Sequence, residues 1–170
     1  MPTQADATPV PSGRPHMPAG YGLTPVEAGK LLPWSWAAER LAASRNYWIC
    51  TTRPDGRPHA SPVWGVWLPN ALYFGTDPLS TKGKNLAANP AVTVHLESGD
   101  EVVIFEGVIE TLADTSLWPQ LDAAYMAKYN LKLSEAGGEA SILVARPQFV
   151  LAWLESDFPN TATRWVLAKK

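Results

Sequence analysis

Tyr47-Trp48-Ile49-Cys50-Thr51-Thr52, then Arg53-Pro54-Asp55-Gly56, then Arg57-Pro58-His59-Ala60-Ser61-Pro62-Val63-Trp64 is the stretch on which the fold turns. Its first six residues are mostly aromatic or β-branched, side chains that suit a pleated, half-buried surface. Pro54 and Gly56 are placed for a turn. Pro58 to Leu68 reads as a long second strand. Pro69-Asn70 then turns the chain into a third, Ala71 to Gly75. Three strands joined by short turns make an antiparallel meander.

Downstream, Asp77 to Ser80 is a loop feeding a short helix, Thr81 to Ala88, which Asn89-Pro90 stops. Ala91 to Leu96 is a fourth strand. Ser98-Gly99-Asp100 turns it into a fifth, Glu101 to Leu112, with Gly107 placed for a bulge. Asp114 or Thr115 caps a helix running to about Asn130, with Leu117, Leu121, Ala124, Tyr125 and Lys128 on one face. Ala136-Gly137-Gly138 is a break. Ser141 to Ala145 and Phe149 to Leu154 read as two strands around Arg146-Pro147, and Thr163 to Leu167 is extended.

Upstream, Ser35 caps a helix over Trp36 to Ser44, with Trp36, Arg40 and Ala43 at helical spacing. Thr24-Pro25-Val26-Glu27 starts a shorter helical turn that Pro33 ends. Residues 1–22 read as a proline-rich tail and 23–170 as one domain. No βαβ alternation appears, and the pattern disfavours a Rossmann sheet. It predicts a mainly β (α+β) fold: a small antiparallel barrel with peripheral helices.

Composition narrows the function. The chain has 170 residues, 46% hydrophobic and 18% charged, enough for one sizeable core. Net charge is −2, without the basic face that nucleic acid requires. No apolar run approaches the roughly 18 residues of a membrane helix, and no signal-peptide stretch opens the chain. The expectation is a cytoplasmic protein with neither nucleic-acid nor membrane partner. Cys50 is the single cysteine and reads as an inert buried thiol. His16, His59 and His95 lack metal-ligand spacing. No Gly-x-Ser-x-Gly elbow, P-loop or Gly-x-Gly-x-x-Gly is present. Chemistry here would therefore fall to a bound organic cofactor.

Three segments are candidate binding elements. Ser80-Thr81-Lys82-Gly83-Lys84-Asn85 brings hydroxyls, two lysines and a helix start to one place, a combination that holds a phosphate. The same residues also read as a capped helix with solvated lysines. His59 to Val63 includes Pro62, which cannot donate to a ladder and so marks an edge or opening where a flat ring can approach. From composition alone the better reading is an ordinary edge strand that packs Trp64 or Trp67 into a core or dimer interface. Arg164 can meet an anion and Trp165 can stack on a ring, or both can dock the C-terminus on the barrel.

These pieces, in this order, resemble the pyridoxamine 5′-phosphate oxidase-like split β-barrel superfamily, and within it the flavin/deazaflavin oxidoreductases of the B branch. The matching text runs from Tyr47 through His59 and Ser61 to Trp64, then Leu72 to Thr76, Ser80 to Leu86, Asn89-Pro90 and Glu106-Gly107. The resemblance implies an FMN-binding split barrel, a homodimer with sites between protomers, and F-420 or FMN as cofactor, with F-420 favoured. Carried over by position, Lys82 and Lys84, with Ser80, Thr81 and Asn85, would hold the cofactor phosphate. His59, Ala60, Ser61, Pro62 and Val63 would border the ring, Thr76 would sit near its edge, and Arg164 and Trp165 would close the site. Many relatives carry arginine where this chain has Ser80 or Lys84, which weakens the match to a polyglutamylated deazaflavin. The implied activity is hydride transfer to a flat conjugated small molecule. No catalytic residue is identified, and the proton would come from water or Tyr129. The alternative is a non-catalytic carrier of a flavin or haem.

Overall fold

The computed structural model describes residues 13–21, 31–135 and 141–167. The short helical turn at Thr24 and the break at Ala136 lie outside them. The deciding stretch behaves as a hairpin: β1 (Asn46–Thr52) pairs with β2 (Pro58–Trp64) over seven residue pairs, from Asn46 opposite Trp64 to Thr52 opposite Pro58. Gly56 takes the positive φ, +84°, that the turn requires.

The long second strand is broken. Gly65 separates β2 from β3 (Val66–Leu68), and β3 pairs with β4 (Ala71–Thr76) through the Pro69-Asn70 turn. The reason is close approach: a Cβ on Gly65 would stand 2.9 Å from Leu72 Cδ1 and 3.0 Å from the Tyr73 carbonyl oxygen. The described strands form one antiparallel sheet in the order β2-β1-β5-β6-β7-β4-β3, with β8 also on β7. Because β2 and β3 are consecutive yet lie at opposite ends of that order, the kink at Gly65 curls the sheet into a split barrel.

The remaining strands are β5 (Ala91–His95), β6 (Glu101–Thr111), β7 (Ser141–Leu154) and β8 (Thr163–Val166). The two strands expected around Arg146-Pro147 are one. Gly107 pairs with Pro147 and Glu106 with Phe149, leaving Gln148 as the extra residue of a bulge. A Cβ on Gly107 would fall 1.9 Å from the Arg146 carbonyl oxygen, so only glycine lets β7 bend across β6 there.

Tertiary packing also shifts the first helix. α1 is Trp34–Ala43, not Trp36 to Ser44, and its N-cap is Pro33, without a side-chain bond. Trp34, Ala37 and Leu41 are its buried residues. Trp34 packs edge-to-face on Trp165, centroids 5.6 Å apart, which draws two more residues into the helix. On its flank the half-buried Trp36 packs against the core cluster and carries Arg40, which pairs with Glu101 at 2.7 Å.

α2 (Thr81–Ala88) lies as expected and buries Gly83, Asn85 and Leu86. Asp114 caps a 3-10 turn, Thr115–Leu117, that leads into α3 (Trp118–Tyr129), and Asn130 ends α3 in the left-handed region. The barrel interior holds Tyr47, Ile49, Phe74, Val94, Phe105, Val150 and Trp165. Each large apolar side chain enclosed there stabilises the fold by about 1.5–3 kcal/mol. A second cluster, with Leu121, Tyr125 and Tyr129, seats α3 on the outside of β3, β4 and the first half of β7. α4 (Phe158–Thr161) connects β7 to β8.

α3 thus covers one half of the sheet's outer surface. On the other half, two cross-strand rows of outward side chains follow from the register. One runs Pro62, Trp48, His95, Ile104, Leu151, Arg164; the other Ala60, Cys50, Thr93, Glu106, Phe149, Val166. These residues are half-buried or exposed.

Candidate functional site

At one mouth of the barrel α2 starts against the loop before it. Ser80 is its N-cap: the hydroxyl accepts from the Gly83 N–H at 3.1 Å and donates to the Asp77 carbonyl at 2.6 Å. Asp77 in turn accepts from the Leu79 N–H at 2.7 Å. A Cβ on Gly83 would lie 2.5 Å from the Asp77 carbonyl oxygen, so glycine is required for this close seat. No acidic residue stands in the first turn of α2. The positive end of the helix dipole is therefore not neutralised locally.

The candidate residues on α2 divide by burial. Asn85 is buried and donates to Thr51 Oγ1 at 2.9 Å, fastening the helix to β1. Thr51 Oγ1 also stands 3.5 Å from His59 Nδ1 on β2. Thr76, buried at the end of β4, sets its hydroxyl 3.4 Å from that of Ser80. The barrel thus brings Thr76, Ser80, Asn85 and His59 together as a polar rim, with Thr51 as a member that the sequence did not mark. Thr81 and Lys84 are exposed and Lys82 is half-buried. Neither lysine forms an ion pair with a described carboxylate. The chemistry of this rim is that of an anion cradle: a helix N-terminus with no acidic residue in its first turn, hydroxyls, and two ammonium groups outside any ion pair with a described carboxylate.

β2 splits the ring-bordering residues between two surfaces. His59, Ser61 and Val63 turn inward, opposite Thr51, Ile49 and Tyr47, whereas Ala60 and Pro62 turn outward, opposite Cys50 and Trp48. β2 ends the sheet order, so its far edge pairs with no described strand. Ser61 Oγ is buried and has no hydrogen-bond partner among the described residues. A buried hydroxyl left so costs about 1–3 kcal/mol, and a polar ligand at that edge would relieve it.

Arg164 and Trp165 part company. Arg164 faces outward at the end of the first row, 4.9 Å over the Phe149 ring, and lines a cleft of about 190 Å³ with Ile104, Glu106, Phe149 and Leu151. Trp165 is fully buried against Trp34. The N-terminal segment touches this region: the Arg164 N–H donates to the Gly13 carbonyl at 2.8 Å, and Arg14 reaches the carbonyls of Ala162 and Asn160.

Two expectations change. Cys50 lies on the outward face and is half-buried, not enclosed in the core; burial still pushes its thiol pKa up. Tyr129 is not free to deliver a proton. Its hydroxyl accepts from the Gly65 N–H at 2.8 Å and lies 2.6 Å from the Arg45 carbonyl and 2.8 Å from that of Gly65. Its single hydrogen is committed to a carbonyl, and burial raises its pKa. Lys128 completes this support: it donates to Tyr47 Oη at 3.0 Å and to the Gly65 carbonyl at 3.1 Å, with its pKa pushed down to about 8 by burial and by Arg45. Strand alternation was the one signal in the sequence for the outward face, and the Gly65 break hid its phase.

The sequence model of the family described as pyridoxamine 5′-phosphate oxidase matches residues 36–154, more than half of the chain. No curated protein matches it. Among solved structures, an F-420 reductase is 24% identical with a TM-score of 0.53, covering 66% of this chain and 94% of that one. A FAD-binding protein from Mesorhizobium loti is 21% identical with a TM-score of 0.57, covering 81% of this chain and 96% of that one. A haem-binding protein from Mycobacterium smegmatis is 22% identical with a TM-score of 0.59. The match to it covers 72% of this chain and 55% of that one, so this chain spans about half of its length. At these identities the likeness shows the fold alone. No helix among the described residues is long and apolar enough to cross a membrane.

Proposed function

The chain belongs to the pyridoxamine 5′-phosphate oxidase family, and on that footing we propose that it is an oxidoreductase holding a flavin-type cofactor, F-420 or FMN, between two copies of itself. The observation that carries this reading is the polar rim in which α2 meets β1 and β2 through Asn85, Thr51 and His59, with the Ser61 hydroxyl two residues along β2 buried and without a partner among the described residues. The residues present fit such a group. The first-turn N–H groups of α2, Thr81, Lys82 and Lys84 would hold its phosphate. Ser80 and Asn85 set that turn in place through their bonds to Gly83 and Thr51. The β2 segment His59 to Val63 would border the ring, with Thr76 beside its edge. When bound and reduced, the cofactor supplies a hydride to a flat conjugated acceptor.

The two outward rows are the surface a second copy would cover. They are largely apolar, and no helix among the described residues packs over them. Such a lid would bring Arg164 of one copy near β2 of the other, while Trp165 stays in the core and backs the strand that presents Arg164. F-420 remains the favoured cofactor because the B branch often uses it. Cytoplasmic localisation belongs to the same proposal.

Titration with FMN and with F-420, followed by quenching of the eight tryptophans, tests the reading. Tight F-420 binding supports a deazaflavin-dependent reductase. Tight FMN binding alone supports a flavoprotein. In either case Lys82→Ala should weaken binding about tenfold. Binding of neither overturns the reading and favours the carrier alternative, with haem the next ligand.

A further inference from the structure

Lys128 on α3 and Arg45 just before β1 meet at a junction that the cofactor reading does not use. A cleft of about 280 Å³ opens there between the end of α1, β3 and α3. Its walls are Ala42, Ala43, Val66, Trp67, Ala124 and Ala127, and Lys128 lines it with them. Four of those six are alanines, so no long side chain fills the space beside the lysine. Neither Lys128 nor Arg45 forms an ion pair with a described carboxylate.

The Lys128 nitrogen is oriented by its bonds. Nζ donates to Tyr47 Oη at 3.0 Å and to the Gly65 carbonyl at 3.1 Å, and its third direction leads to the Ala42 carbonyl at 3.5 Å. Ala42 is exposed and belongs to the cleft wall. The hydrogen held most weakly is therefore the one on the cleft side, and its release leaves a lone pair there. Arg45 adds a second positive charge, its guanidinium donating to the Lys128 carbonyl at 3.0 Å. Burial and Arg45 together disfavour the ammonium and hold its pKa near 8. The other titratable groups around it are Tyr47 on β1 and Tyr125 and Tyr129 on α3, whose pKa values burial pushes up; the α1 and β3 residues of the cleft carry none. A lysine both desolvated and set beside another cation is an activated nucleophile.

We propose that Lys128 is a modification site, the amine at which this protein takes up small acyl groups from acyl phosphates. The Nζ lone pair forms the N–C bond to the acyl carbon. The C–O bond to phosphate breaks, its electron pair leaves on the phosphate, and the Nζ proton passes to that phosphate. A guanidinium close by suits the anionic leaving group, and the alanine walls leave room for a short acyl chain. The product is neutral, so the half-buried charge disappears. Its amide keeps one N–H for the Gly65 carbonyl, which Tyr129 Oη also approaches at 2.8 Å.

Exposure of the wild-type protein to acetyl phosphate, with the rate at each lysine read by peptide mass mapping, tests this. Lys132 is the internal reference, since its bond to Glu135 at 2.8 Å raises its pKa. At pH 7.5 Lys128 should be acetylated at least about tenfold faster than Lys132, because only the neutral amine attacks. Its rate should level off above about pH 8 while that of Lys132 keeps climbing, and the preference should vanish in urea. Independently of labelling rate, protein acetylated once, at Lys128, should lose the rise in stability between about pH 8 and 10.5, since the amide has no proton to release. Lys128 labelled no faster than Lys132, a rate that does not level off, a preference that survives in urea, or a stability rise retained after acetylation would each overturn the proposal.

Discussion

Tyr129→Phe tests the device that lets the sheet close. At Gly65 the ladder is interrupted, and the buried N–H of that residue would be an orphan. Tyr129 Oη accepts from it at 2.8 Å and lies 2.6 Å from the Arg45 carbonyl. Phenylalanine keeps the ring, its 4.7 Å stack on Trp64 and its place in the α3 cluster. Only the hydroxyl goes. Leaving the Gly65 N–H unpaired costs about 1–3 kcal/mol, and the lost bond to Arg45 costs about 1 more. A sum near 3 kcal/mol lowers Tm by about 6–12 °C for a chain of this size. Tyr125→Phe is the control. Its hydroxyl donates to the Trp64 carbonyl at 3.0 Å and lies 3.5 Å from that of Tyr73, so it should cost about 1 kcal/mol. Urea unfolding monitored by tryptophan fluorescence measures both. If Tyr129→Phe were no more destabilising than Tyr125→Phe, the N–H at Gly65 would not be the group that matters, and this account of the kink would be wrong.

Lys128→Met separates charge from packing. Burial holds the folded Lys128 pKa near 8, below its ordinary 10.5, so below pH 8 the folded state carries the full burden of a half-buried ammonium. Between about pH 8 and 10.5 the unfolded chain binds the proton that the folded chain has released, and stability rises with pH. Wild type should therefore gain on Lys128→Met from pH 7 to pH 9.5, and paired urea titrations giving a flat difference would refute this. Ser80→Ala removes the α2 cap and should cost about 1 kcal/mol, whereas Lys82→Ala should change stability by less than about 0.5 kcal/mol while weakening cofactor binding. Gly107→Ala places a methyl 1.9 Å from a backbone oxygen; a loss above about 4 kcal/mol is expected, read as failure to recover folded protein, and near-wild-type Tm would exclude the bulge as a steric requirement.

The local pieces were legible because local chemistry specifies them. Thr81–Ala88 is bounded by Ser80 and by Asn89-Pro90, and the β1–β2 hairpin is set by Pro54 and Gly56. Family resemblance, resting on those same pieces in order, extended them to a split barrel. What only the tertiary structure decided is every feature fixed by a distant partner. Gly65 breaks the second strand because Leu72 and Tyr73 press against it. Trp34 enters α1 because Trp165 receives it. Trp165 lies inside and Arg164 outside because strand alternation needs a phase, and the phase comes from β7. The outward row from Pro62 through Trp48 and His95 to Arg164 joins the first hairpin to the last strand of the chain. Local composition names the strands, but sheet register decides which side chains share a face, and register is a property of pairs.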